Sequence, residues 1–292
     1  MIYRSLGNTG YQVSAVVYGG IVSMRDGQTN SDRYVAWAIE QGINYFDVAP
    51  TYGDAQEKLG QSLIPYRKDV YLACKTKQRL REGAEKEMKE SLRLLHTDHF
   101  DVYQMHELLT KEDLDLAFGP GGVMELMAEM KEKGIARKLG ITAHSEDVAL
   151  RALELYNFDT VLFPFNWHMH MAHGMGARLL KAAKERGMGI LCMKSMIERA
   201  WDEGEQSRSK YPKSWCKPFD TEIELERELL MAALKYAVAL GVDTLIPPGN
   251  YEHFSFAVNH IQEILDHSLS ENDHELLKTR LSLVKDRPFF SV

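Results

Sequence analysis

The chain has 292 residues, 45% of them hydrophobic and 26% charged, with 21 glycines and 9 prolines, a balance that excludes the disordered and fibrous classes. A formal charge of -7 removes any general attraction for nucleic acid or an anionic membrane, and three cysteines without a CxxC pair exclude a disulfide framework and a cysteine zinc site. The amino end lacks the apolar run of a signal peptide, and no stretch approaches roughly 18 uncharged apolar residues, so a cytoplasmic protein with no membrane partner is expected.

After a turn-rich opening at GNTG, short apolar runs alternate with longer amphipathic ones. The runs VSAVVYG, INYFDVA, DVYLACK, FDVYQMH, ARKLGIT, DTVLFPFN, GILCMK and DTLIP read as strands. Between and after them, helix-like spacing covers residues 32–41, 84–95, 123–133, 146–156, 177–186, 222–240 and 254–267. Gly42, Gly134, Gly187 and Gly241 sit where C-terminal caps belong, and Ser145 before Glu146 and Asp147 suits a helix start.

Strand and helix in alternation imply right-handed crossovers and a parallel sheet. Eight units point to a closed (β/α)8 TIM barrel rather than a doubly wound sheet, and GxGxxG is absent after the first strand, where VVYGG stands. An amino-terminal hairpin and a carboxyl-terminal helical extension from Glu271, ending in the apolar tail FFSV, complete a single domain over residues 1–292. The charged, proline-interrupted stretch Ser195 to Thr221 reads as an active-site lid loop, long enough to imply either function or a short helix within it.

In this frame Asp47, Lys75 and His106 stand at the ends of strands two, three and four, and Tyr52 follows on the loop after Asp47. Loops at the carboxyl ends of barrel strands converge on one mouth, so these four become neighbours. A phenol, with an ordinary pKa of about 10, is a poor acid at neutral pH, and a nearby ammonium eases its proton donation. Lys75 is placed to do that, Asp47 to hold Lys75, and His106 to donate to a carbonyl oxygen or share in proton transfer.

FDVAPTYG resembles the strand-two signature of the aldo-keto reductases, the lysine of YLACKTK resembles their catalytic lysine, and VYQMH their strand-four histidine. YRSLGNTGYQVSAVVYGG is similar to the family's entry hairpin and first strand. The resemblance implies an NAD(P)H-dependent oxidoreductase reducing aldehydes or ketones to alcohols, with Tyr52 as general acid, Lys75 and Asp47 tuning it, and His106 orienting the carbonyl.

The resemblance also assigns cofactor contacts. The family's Ser-Asn pair after strand five corresponds to Thr142 and Ala143, and its strand-six glutamine to Leu162, so only Thr142 keeps a side-chain hydrogen bond; His144 stands beside as a substitute. LIPPGNYEHFSFAVN is similar to the segment that clasps the adenosine phosphate, which nominates Gly249, Asn250, Glu252, Ser255 and Asn259, with Lys194 as a further positive charge. Glu252 disfavours a 2′-phosphate, whereas most relatives prefer NADPH; the choice stays open, with NADP(H) placed ahead of NAD(H). Tyr18, Met24, Trp167, Trp201 and Trp215 are expected to line the substrate pocket.

His168, His170 and His173 have short spacing but no acidic or cysteine companion, and no metal is expected there. Two alternatives stand beside the reductase: a nucleotide-binding accessory or regulatory protein with little turnover, motivated by Ala143 and Leu162, and a different barrel enzyme using Lys75 as a Schiff base. The sequence leaves the substrate and the oligomeric state open.

Overall fold

In a computed structural model describing residues 1–290, eight parallel strands form one sheet: β1 (Tyr18–Gly19), β2 (Tyr45–Asp47), β3 (Tyr71–Thr76), β4 (Phe100–Leu108), β5 (Ala136–Ala143), β6 (Thr160–Phe163), β7 (Gly189–Met193) and β8 (Thr244–Ile246). Each pairs with its neighbour in order. The ring closes just before β1, where Val16 bridges Leu245 and Leu245 N donates to Ala15 O at 2.9 Å. The expected (β/α)8 barrel is therefore present. Of the expected tail FFSV, Ser291 and Val292 lie outside the described residues.

The strands bury both faces, because one side fills the barrel and the other packs beneath helices. Inside, Val17, Tyr45, Ala73, Val102, Leu162, Leu191 and Ile246 cluster with Leu6 and Val13 of the amino-terminal hairpin, whose strands Tyr3–Ser5 and Gln12–Ser14 run antiparallel. That hairpin plugs the barrel's amino-terminal end. Gly189 permits it: a Cβ there would lie 2.6 Å from Leu6 Cγ.

Each helix expected from spacing is present, with ends shifted by a few residues, for example Gln28–Glu40, Arg81–Leu94 and Tyr251–Asp266. Gly42, Gly134, Gly187 and Gly241 end helices with φ between 64° and 86°, and the Ser145 side chain accepts from Val148 N. The terminal helix runs Glu271–Val284 behind a Ser270 capping box. Three further helices were not expected from spacing: Ala55–Leu63, Lys111–Phe118, which follows a Thr110–Asp113 capping box, and Trp167–His173.

The 195–221 segment is an ordered excursion. Ile197–Arg199 pairs with Lys217–Pro218, and a short helix spans Glu205–Arg208. Glu198, fully buried, binds Arg280 of the terminal helix and Lys217 at 3.2 Å, so lid and carboxyl-terminal extension are tied together. Among the described residues no helix is long and apolar enough to cross a membrane.

Candidate active site

The carboxyl ends of β2, β3 and β4 contribute the buried polar side chains Asp47, Lys75, Gln104 and His106, since alternate residues point into the barrel. Asp47 ends β2 and is in ion-pair contact with Lys75 of β3, whose side chain is 0% exposed. Gln104, paired with Lys75 in the β3–β4 register, donates from Nε2 to Asp47 Oδ2 at 3.0 Å. A buried charge is tolerable only when paired and hydrogen-bonded, and here both conditions hold.

His106 follows Gln104 by two residues, where the β4–β5 register shifts between Met105 and Leu108. Glu107 has a left-handed φ of 58°, its N–H donating to Thr142 Oγ1 at 2.7 Å. Arg79 Nη2 holds the His106 and Glu107 carbonyls at 2.8 and 3.1 Å. Strand parity keeps His106 on the face of Gln104, where it lines the mouth, and these bonds fix the backbone around it.

Tyr52 sits in the turn between β2 and the helix Ala55–Leu63; its N–H donates to Ala49 O at 3.1 Å, and its carbonyl accepts from Ala55 N at 3.0 Å. The ring lies edge-on to His106 with centroids 5.8 Å apart, and Lys75 Nζ lies 5.9 Å from its centre. The four residues expected to converge do so.

Two lobes open around Tyr52. One, about 650 Å³ counting its open mouth, includes Lys75, His106, Thr142 and His144 in its lining. The other, about 590 Å³ on the same measure, runs past Asp47 to Ile21 and Ile246–Gly249. Tyr52, Leu162, Met193, Lys194 and Trp215 line both.

Electrostatics depart from expectation at Tyr52. Burial, then the Asp47 carboxylate, pushes its phenol well above 10. Burial, then Lys75, brings His106 down to about 2, so its imidazole is neutral. His144 comes down to about 3, through burial and then Lys194.

Other expected contacts are distributed unevenly. Thr142, His144, Lys194 and Gly249 reach the lobes. Asn250 caps the helix Tyr251–Asp266 and is buried, with no hydrogen-bond partner for Nδ2 among the described residues. Glu252 and Asn259 are exposed on that helix, Ser255 Oγ bonds back to the Glu252 carbonyl, and none of the three lines a lobe.

Of the expected substrate residues, Trp215 alone lines the lobes, its ring 5.7 Å from that of Tyr52. Tyr18 belongs instead to the layer between barrel and helices: its ring packs on Phe46 and Phe254 and its hydroxyl pairs with Ser23 Oγ at 2.8 Å. Met24 packs under the Tyr52 turn, about where a Gly53 side chain would be. Trp167 is fully buried, stacked on Phe219 and bonded to the Ile197 carbonyl, so it supports the lid from below. Trp201 donates to the Ser214 carbonyl and lines a separate outer cavity of the lid.

Gln104 and Arg79 were missed. Gln104 had a signal, since strand parity places it on the face of His106; Arg79 lies in a loop and had none. Among the described residues no group of three or more His, Cys, Asp or Glu side chains could hold a metal. His168 and His170 instead place Nδ1 against the Glu198 carbonyl and the Tyr236 hydroxyl.

The Aldo/keto reductase family model matches residues 23–247, most of the barrel. The chain belongs to the aldo/keto reductase family. The chain is similar to the uncharacterized oxidoreductase YqkF of Bacillus subtilis, 28% identical over 177 residues, 56% of each chain. It is also similar to L-galactose dehydrogenase of Arabidopsis thaliana, 29% identical over 211 residues, 64% of this chain and 63% of that one. The matched stretch thus spans less than two thirds of either relative's length. Among solved structures, the aldo-keto reductase AKR11C1 of Bacillus halodurans shares the fold at a TM-score of 0.69 and 21% identity, over 96% of each chain.

Proposed function

We propose that this aldo/keto reductase reduces aldehydes or ketones to alcohols, reversibly, using a nicotinamide dinucleotide and Tyr52 as proton donor. What carries the proposal is the meeting of Tyr52, Lys75, Asp47 and His106 at one cleft from three separate stretches of chain. Three buried, unpaired thiols suit the reducing, cytoplasmic setting that goes with it.

The residues present fit a dinucleotide. One lobe ends at Gly249, next to the amino terminus of the 16-residue helix Tyr251–Asp266, where backbone N–H groups favour phosphate and the Asn250 Nδ2 donor is buried without a partner among the described residues. NADP(H) stays ahead of NAD(H), although Glu252 in the first helical turn opposes a 2′-phosphate. When bound, the dinucleotide supplies hydride to the carbonyl carbon.

The chain's own residues do the rest. A carbonyl oxygen between Tyr52 and His106 accepts hydrogen bonds from the phenol and from a neutral imidazole, which fixes its orientation. As negative charge develops on that oxygen, Tyr52 transfers its proton to it; in alcohol oxidation the phenolate takes the proton back. Lys75 stabilises that phenolate from beside the ring, and Asp47, steadied by Gln104, keeps Lys75 in place. Trp215 and Leu162 exclude water from the cleft.

The test is titration with NADH and NADPH separately, read by protein fluorescence quenching, followed by an aldehyde and ketone panel with whichever binds. Saturable binding and turnover are expected; no saturable binding of either would overturn the assignment. One observation favours a second reading: Leu162 presents an apolar side chain to both lobes, where the resemblance leads one to expect a glutamine. Tight dinucleotide binding without hydride transfer would indicate an accessory protein.

A further inference from the structure

Four lysines line the two lobes, and three are neutralised locally. Lys75 pairs with Asp47, Lys77 with Glu107 at 2.6 Å, and Lys213 with Asp26 at 2.7 Å. Lys194 alone has no carboxylate within ion-pair distance among the described residues. Its backbone is firmly built in. It holds a left-handed φ of 63°, an uncommon conformation for a residue with a side chain, and its carbonyl accepts from Asn166 Nδ2 at 2.7 Å and Ile197 N at 3.0 Å.

The ammonium is held between aromatic faces. Lys194 Nζ lies 4.9 Å from the centre of the Phe290 ring and 6.0 Å from that of Trp215. Phe290 in turn packs on His144, with centroids 4.3 Å apart, and His144 lines only the lobe that contains His106. The charge therefore leans toward the carbonyl-binding side of Tyr52. The phosphate-holding features, Gly249 and the helix amino terminus, lie in the other lobe.

A desolvated cation without a counter-ion is costly, and an anion delivered by a ligand offsets that cost. We infer that Lys194 receives the carboxylate of the substrate, so that the preferred substrates are aldehydes or ketones bearing a carboxylate, with Trp215 and Phe290 flanking the carbon body between the two groups. This rests on the carbonyl-reductase assignment and narrows its substrate class. Burial lowers the Lys194 ammonium from its ordinary range, and a carboxylate beside it acts in the opposite direction.

The experiment compares meta- and para-carboxybenzaldehyde with their uncharged primary amides, in the parent protein and in Lys194→Met and Lys194→Arg. Steady-state reduction gives the acid-to-amide ratio of kcat/KM, and calorimetric titration of each compound gives Kd independently of turnover. The expected result is a ratio favouring the acid that falls by at least about tenfold in Lys194→Met, mainly through KM, and recovers in Lys194→Arg. An unchanged ratio in Lys194→Met would overturn the inference while leaving carbonyl reduction intact. So would a loss shared equally by acid and amide and matched by weaker dinucleotide binding, which would assign Lys194 to the cofactor phosphates. If no carbonyl is turned over, the reductase assignment fails, and calorimetry still decides whether Lys194 selects the carboxylate.

Discussion

The Lys75–Asp47 pair offers the sharpest energetic test of the site. Both side chains are nearly inaccessible, at 0% and 3%, and Asp47 has one further side-chain bond, from Gln104 at 3.0 Å. Lys75→Met leaves a buried carboxylate with one neutral donor, and Asp47→Leu leaves a buried ammonium with none. Either substitution is expected to cost about 3–5 kcal/mol, because an unpaired buried charge remains. Replacing both charges by apolar groups of similar size removes that penalty, so the double variant is expected within about 2 kcal/mol of the parent. The two positions are therefore coupled by several kcal/mol, far from additive. Urea unfolding followed by both circular dichroism and tryptophan fluorescence gives the free energies; coincident curves justify the two-state treatment. With a slope of about 2–3 kcal/mol per molar urea, each single variant should lose about 1–2.5 M in its midpoint. Single variants within about 1 kcal/mol of the parent, or a double variant equal to their sum, would refute the picture of a sealed pair. Activity is expected to be lost in all three.

Stability should also fall on acidification. Burial, as the leading cause, holds His106, His144 and His253 down to about 2, 3 and 4, so the fold keeps them neutral while the unfolded chain takes protons below about pH 6.5. Their contribution is complete above that pH and is lost as pH drops toward each folded value, about 4 for His253, about 3 for His144 and about 2 for His106, at about 1.4 kcal/mol per unit for each histidine. Urea midpoints from pH 7 to 5 should show the slope, and His253→Gln should lessen it; a flat profile would contradict the burial argument. The rate of carbonyl reduction, in contrast, should show no alkaline limb from Tyr52 up to about pH 9, since its phenol is held well above 10. A pH-rate profile with a Tyr52-dependent break near pH 7 would count against this. At the lid, Arg280→Met leaves the buried Glu198 with Lys217 as its close partner, and should cost about 1–3 kcal/mol and speed limited proteolysis within residues 200–216. An unchanged cleavage rate would show that the terminal helix does not hold the lid.

The barrel was legible because its strands are short buried runs and its helices carry a regular apolar stripe. The helix Ala55–Leu63 escaped because it begins one turn after Tyr52, within what reads as a continuous catalytic loop, and Trp167–His173 because DTVLFPFN runs on past the true end of β6 at Phe163. The four polar residues were legible from their strand-end positions, and Gln104 could have been added by parity. The same parity argues against Tyr18: Val17 faces the barrel interior with Tyr45, which turns Tyr18 outward with Phe46. Trp167 and Trp201 were placed by closeness in sequence to the mouth, whereas their indole N–H groups are bonded to backbone carbonyls of the lid. Which carboxylates pair with Lys77 and Lys213, leaving Lys194 without one among the described residues, depends on contacts between distant segments that no local pattern encodes.

The most direct measurement is made on Tyr52→Phe, which removes a single hydroxyl from a ring otherwise held by packing. Reduction of the best carbonyl substrate and binding of the reduced dinucleotide should be measured on the same preparation. Dinucleotide affinity within about threefold of the parent, together with a loss of at least about a hundredfold in kcat, is expected if this phenol donates the proton. Near-parental turnover would contradict that role, whatever else binds in the cleft.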